Sequence, residues 1–166
     1  MSVRTLHLSL FALCAVLLAG GCQRRPLDFK IQARSDLAFS LWVSAHTGSL
    51  GAEDTRELNE ALKQIKFAVM IASPGLPAKE FSDQVYGQIN GFTVRQVLAR
   101  SLEIQSDRIA GEINALEERD ERYRTIDPTS LSLTKRQFVE SFNGRMADRR
   151  TELQRLGDRK TLLLAR

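Results

Sequence analysis

Thiols, imidazoles and paired carboxylates are the side chains that most readily do chemistry, and this 166-residue chain has few of the first two. Its cysteines are Cys14 and Cys22, and its histidines are His7 and His46. Cys14 and His7 fall in an N-terminal stretch of a different character: Arg4, an apolar run from Leu6 to Leu18, then Ala19-Gly20-Gly21-Cys22. A basic start, an apolar run and small residues before a cut are the three parts of an export signal. The run is shorter than the roughly 20 residues a spanning helix needs. Cleavage before Cys22 would discard residues 1–21, leaving Cys22 as the last thiol and His46 as the last imidazole. That pair cannot assemble a Cys/His zinc set, so no metal or cofactor is expected. Ser44, near His46, lacks the strand–turn–helix setting of a nucleophile elbow. Glu117, Glu118, Asp120 and Glu121 interleave with Arg119 and Arg122, the pattern of a solvated helix face rather than of a general acid facing a base. Gly75, Gly87 and Gly91 sit at breaks and do not form a phosphate-cradling loop. No catalytic constellation is legible, and the chain is expected not to be an enzyme.

The stretch Leu18-Ala19-Gly20-Gly21-Cys22 resembles the lipobox of bacterial lipoproteins, which ends on a lipidated cysteine. It departs from the usual pattern in placing Ala19, not Leu, three residues before the cysteine, with Leu18 one step earlier. The resemblance covers the signal alone. It implies that Cys22 is the lipid attachment site of a membrane-anchored envelope lipoprotein, acylated with palmitate-type chains. In enterobacterial lipoproteins an Asp after the cysteine retains the protein at the inner membrane. Gln23 stands there in this chain, which implies the outer membrane, facing the periplasm, if the host is Gram-negative. The alternative is ordinary secretory cleavage at the same bond, which would leave Cys22 as an exposed free thiol.

Removing residues 1–21 removes Arg4 and no acid, so the mature net charge is 23 − 20 = +3 with His neutral. The charges are interspersed, unlike the one-faced basic patch of a nucleic-acid binder, and no nucleic-acid partner is expected. Residues 22–34 read as a tether, with Pro26 opposing a helix and with Arg24, Arg25, Lys30 and Arg34 beside the anchor. Fully extended, it would reach about 40 Å. Its basic residues either meet anionic lipid or merely solubilise the linker.

Residues 35–166 are predicted to be one all-α domain, a small helical bundle built on a long antiparallel hairpin. A first short helix is expected over about 36–45, stopping near Gly48, with Leu37, Leu41 and Ala45 on one face. A second is expected over 53–72, with Asp54 and Glu57 as a capping pair and an apolar seam of Leu58, Leu62, Ile65, Val69 and Ala72. Its end, from Phe67 to Ala72, is apolar all round and should be buried. After Pro74, Gly75 and Pro77 a short helix is expected over 78–86. Thr93 with Gln96 forms a capping box, with Phe92 and Val97 placed as a staple; Thr134 with Gln137, and Leu133 with Phe138, repeat the device. Two long helices follow, at about 94–125 and 134–164, joined by turn residues Asp127-Pro128-Thr129-Ser130. Leu102, Ile109, Leu116 and Tyr123 line the first. Val139, Phe142, Met146, Arg149, Leu153, Leu156, Lys160 and Leu163 line the second. Gly111, Gly144 and Gly157 weaken the helices, with Asn143-Gly144 the expected kink.

Arg149 and Lys160 interrupt an apolar seam. Either their stems carry the charges out to the rim, or each pairs with an acid across the hairpin; pairing about a loop centre near residue 129 puts Arg149 by Asp107 or Glu112. With Trp42, they are the candidate interaction residues. The composition favours a non-enzymatic protein-binding or scaffolding module whose partner is another envelope protein. The competing readings are a chaperone-like or lipid/peptide carrier with an apolar groove around Trp42 and Phe67–Ile71, and a carboxylate-based cell-wall hydrolase.

Overall fold

A computed structural model describes residues 25–124 and 133–165. It is all-α: a 3-10 turn at Pro26–Asp28, then α1 (Asp36–Ala72), α2 (Ala78–Gly87), α3 (Val94–Arg124) and α4 (Leu133–Ala165). The pair α3 and α4 forms the antiparallel hairpin, and α1 packs along α3. Cys22 and the expected turn at 127–130 lie outside the described residues, as do the side chains of Tyr123 and Thr134.

The start of α3 follows its capping chemistry. Thr93 Oγ1 accepts the Gln96 amide at 3.2 Å, and Gln96 Oε1 accepts the Thr93 amide at 2.8 Å. Each side chain satisfies an amide left orphaned at the helix start. Phe92, expected to staple Val97, stays half exposed while Val97 is buried. In the hairpin, Leu102 and Ile109 of α3 and Phe142, Met146 and Leu163 of α4 are buried at their expected seam positions, Ile113 joins them, and Leu116, Val139, Leu153 and Leu156 are only half-buried. Helix α4 is unbroken at Gly144 and Gly157, and α3 at Gly111. All three glycines are exposed and meet no neighbour, so each costs the helix only its modest propensity deficit. Asp120, read as part of a solvated face, is instead buried.

The largest departure is at the N-terminus. The segment expected to hang free as a tether up to residue 34 is built into the domain from residue 25. Ile31 and Ala33 are fully buried. Residues 29–33 run antiparallel to 90–94: Ile31 N–H donates to Phe92 O at 2.8 Å, Gly91 N–H to Ile31 O at 2.9 Å, and Val94 N–H to Phe29 O at 3.0 Å. Asn90 Oδ1 accepts the Ala33 amide at 2.9 Å. Once these backbone groups are paired, burying Ile31 and Ala33 gains apolar contact without stranding a donor or acceptor.

Helix α1 is two arms, 36–50 and 52–72, meeting at Gly51 and not at Gly48. Gly51 has φ 78° and ψ 168°, a backbone state essentially restricted to glycine. Ser35 caps the first arm, its Oγ accepting the Ala38 amide at 3.2 Å. The core-facing side of that arm is Phe39, Trp42, Val43 and Leu50, not Leu37, Leu41 and Ala45. The aromatic face buries more area, and the two leucines are left outside, 70% and 62% exposed. In the second arm, Leu58, Leu62, Ile65 and Val69 are buried as spaced, but Phe67, Met70 and Ile71 are exposed because bundle neighbours cover only one side. Gly51→Ala should cost about 1–3 kcal/mol by forcing a side chain into this state. Gly48→Ala, at an open helical position, should be neutral or stabilising by up to about 1 kcal/mol. Thermal melts of both variants by circular dichroism check the pair; equal effects would place the break elsewhere.

Candidate functional site

The three candidate interaction residues have separate fates. Trp42 is a core residue. Its Nε1–H donates to Lys30 O at 2.8 Å, and its ring stacks on His46 at a centroid distance of 4.7 Å. His46, expected to be solvated, is half-buried between Trp42 and Phe29, whose ring lies 5.1 Å away edge-on. Its Nδ1 lies 2.8 Å from the Trp42 carbonyl, so that nitrogen carries the proton and donates. Trp42 therefore joins the first arm of α1 to the N-terminal segment and offers no ring to a ligand.

Arg149 and Lys160 pair across the hairpin. Arg149 Nε meets Glu112 Oε2 at 2.9 Å, one of the two acids expected from the loop centre, and Arg149 also meets Glu152 at 2.6 Å on its own helix. These partners raise the guanidinium pKa further above its ordinary value. Lys160 Nζ meets Glu103 Oε1 at 2.7 Å. That bond, with help from Arg100 and against partial desolvation, holds the Glu103 carboxyl below its ordinary range. A third cross-pair joins Arg150 to Glu117 at 2.6 Å. Exposed pairs of this kind contribute little energy. Arg149 and Glu112 are 42% and 41% exposed, so a double-mutant cycle on them should return less than about 1 kcal/mol of coupling.

Arg95, which the sequence pattern did not single out, joins three elements. Its Nε donates to Asp28 Oδ1 at 3.0 Å and its Nη1 to the Leu163 carbonyl at 2.7 Å. One largely covered guanidinium thus ties the 3-10 turn, the start of α3 and the end of α4 together. Tyr86 of α2 donates to Asp36 Oδ1 at 2.5 Å. That bond, burial and the Asp36 charge push the phenol up from 10.0 to about 12. A raised pKa means the bond stabilises the fold fully below pH 10 and less as pH climbs toward about 12. The melting-temperature gap between wild type and Tyr86→Phe should therefore close between neutral pH and about pH 12.

A groove of about 490 Å³ lies between α1, α3 and α4. Glu53, Arg56, Glu57 and Glu60 form one wall, and Arg159 faces them over a floor that includes Leu98 and Leu102. Glu57, the expected capping partner of Asp54, accepts from Arg159, while Glu60 pairs with Lys63 at 2.7 Å. The groove is charged and open, unlike the apolar groove a lipid carrier needs. Among the described residues, no group of three or more His, Cys, Asp or Glu could hold a metal ion, and no helix is long and apolar enough to cross a membrane. The chain matches no family model, no curated protein and no solved structure.

The surface that the residue types alone did not reveal is the outer face of the first arm of α1. From Leu37 to Ala52 the sequence has no Asp, Glu, Lys or Arg, its longest uncharged run after Cys22. That run is the signal that could have found it. Leu37, Leu41, Ser44, Ala45 and Gly48 are its exposed positions along one side.

Proposed function

We propose that this chain is a bacterial lipoprotein precursor: exported, cut before Cys22, acylated there, and held at a membrane by lipid. The carrying observation is the run of signal-like residues ending on Ala19-Gly20-Gly21-Cys22, with an export-type basic start and apolar core. One acyl chain gives only marginal attachment, whereas two or more hold a protein stably, at about 0.8 kcal/mol per buried methylene. Gln23, in place of Asp, favours the outer membrane in a Gram-negative host. The helical domain serves as a non-enzymatic module that binds another envelope protein. Phe67, Met70 and Ile71 support that role: spaced three and one apart on the second arm of α1, they expose contiguous apolar surface that a monomer normally covers. Mass spectrometry of the mature N-terminal peptide tests the anchor; a diacylglyceryl adduct on Cys22 is expected, and an unmodified thiol sinks the reading. For the module, a photo-crosslinker at Met70 should trap one discrete envelope protein, and Phe67→Asp should abolish that adduct. If Phe67→Asp leaves it unchanged, the second arm is not the binding face.

A further inference from the structure

Resting on that anchored reading, we infer that the first arm of α1 lies flat on an anionic lipid surface, with Leu37 and Leu41 reaching the headgroup boundary. Only residues 23–26 separate Cys22 from Leu27, the first residue packed against the core. Five peptide steps span at most about 18 Å, so a lipid on Cys22 holds the N-terminal end of the domain close to the bilayer and not at arm's length.

Packing then identifies what lies at that end. Four residues after Arg25, the Phe29 ring packs on His46 of the first arm, and the next residue, Lys30, accepts the Trp42 bond. The arm and the anchor-proximal segment are thus one rigid unit. The arm turns Phe39, Trp42, Val43 and Leu50 into the core and leaves Leu37 and Leu41 outward, with Ser44, Ala45 and Gly48 continuing that face. An uncharged helical face about 20 Å long, small apart from two leucines, can lie in the interface plane without burying a charge. Arg25, Lys30 and Arg34, all exposed on the accompanying segment, supply positive charge beside it, and such residues are attracted to anionic headgroups. Among the described residues, no other stretch combines an uncharged outer face with this nearness in sequence to Cys22.

The test uses the full mature, acylated protein in vesicles of phosphatidylethanolamine with phosphatidylglycerol. Acylation of Cys22 leaves a single introduced thiol to label. An environment-sensitive fluorophore is placed at Leu41→Cys, and at Arg119→Cys toward the far end of α3 as a control. Iodide should quench the label at 41 about fivefold less than the label at 119, as for a side chain drawn into the headgroup boundary. Replacing Leu37 with Glu should return the label at 41 toward the control value. Equal quenching at the two positions, on protein whose acylation is verified by mass, overturns the inference while leaving the anchor intact. So does protection at 41 that is seen only in native envelopes and never in vesicles, which would mean a protein covers the arm. An unacylated N-terminal peptide instead overturns the anchored reading itself.

Discussion

Trp42→Ala should lower the stability of the domain by about 3–5 kcal/mol, the cost of emptying an aromatic site in a packed core. The ring is nearly fully buried, stacks on Phe39 and His46, and carries a hydrogen bond to the Lys30 carbonyl. Truncation opens a cavity and also strands that carbonyl, a further cost of about 1–3 kcal/mol where water cannot reach it. Domains of this size are stable by only about 5–15 kcal/mol in total, so the variant should melt about 6–20 °C lower, at about 2–4 °C per kcal/mol. The alternative role, a ring presented to a ligand, predicts the reverse: little loss of stability and a loss of binding. Circular dichroism melts separate the two, since they do not need the fluorophore that the mutation removes. Trp42→Phe refines the result. It keeps part of the stacking but loses the indole N–H and the volume of the second ring, so its cost should lie between that of the single bond, about 1–3 kcal/mol, and that of the full truncation.

That prediction depends on a segment the sequence misrepresents at first reading. Residues 22–34 look like a linker because Pro26 and four basic residues dominate them. Yet Phe29, Ile31 and Ala33 alternate with Lys30 and Gln32, a two-residue period that signals extended backbone with one face buried. Five residues are too few to outweigh composition, and their partners, 90–94, lie some sixty positions away, beyond the reach of local pattern. The long helices were legible for the opposite reason. Their apolar repeats, every seven residues in α3 and in steps of three and four in α4, persist over about twenty residues or more, and α3 carries a capping box that closes as spaced. The Arg149–Glu112 pair was legible too, because antiparallel pairing about a short loop turns sequence positions into neighbours. What the pattern could not decide was which face of an apolar arm turns inward. In the first arm of α1 both faces carry leucine-sized residues, and the outcome is set by the bulk of Phe39, Trp42 and Leu50 against the rest of the core. Likewise Gly48 and Gly51 are equivalent helix breakers in sequence, and only the packing geometry places the positive φ at Gly51.

Cys22→Ser should convert a membrane-bound protein into one recovered in the soluble fraction after cell lysis, with the folded domain unchanged. The size of the effect follows from the acyl chains. Two chains of about fifteen methylenes each, at about 0.8 kcal/mol per methylene, outweigh any contact the domain itself makes with lipid. Arg25, Lys30 and Arg34 add about 1 kcal/mol each at an anionic surface, and two exposed leucines add about 1.5–3 kcal/mol each if fully buried. Those terms are enough to orient a tethered domain and too small to hold a free one, because freeing it restores the translational entropy that association removes. Fractionation of wild type and Cys22→Ser, read by immunoblot, should therefore show a change of more than about tenfold in the bound fraction. The same measurement on Leu37→Glu with an intact Cys22 should show no change in fractionation at all. If Cys22→Ser stays at the membrane, the attachment lies in the domain or in an uncleaved signal, and the orientation of the first arm must be argued from that attachment instead.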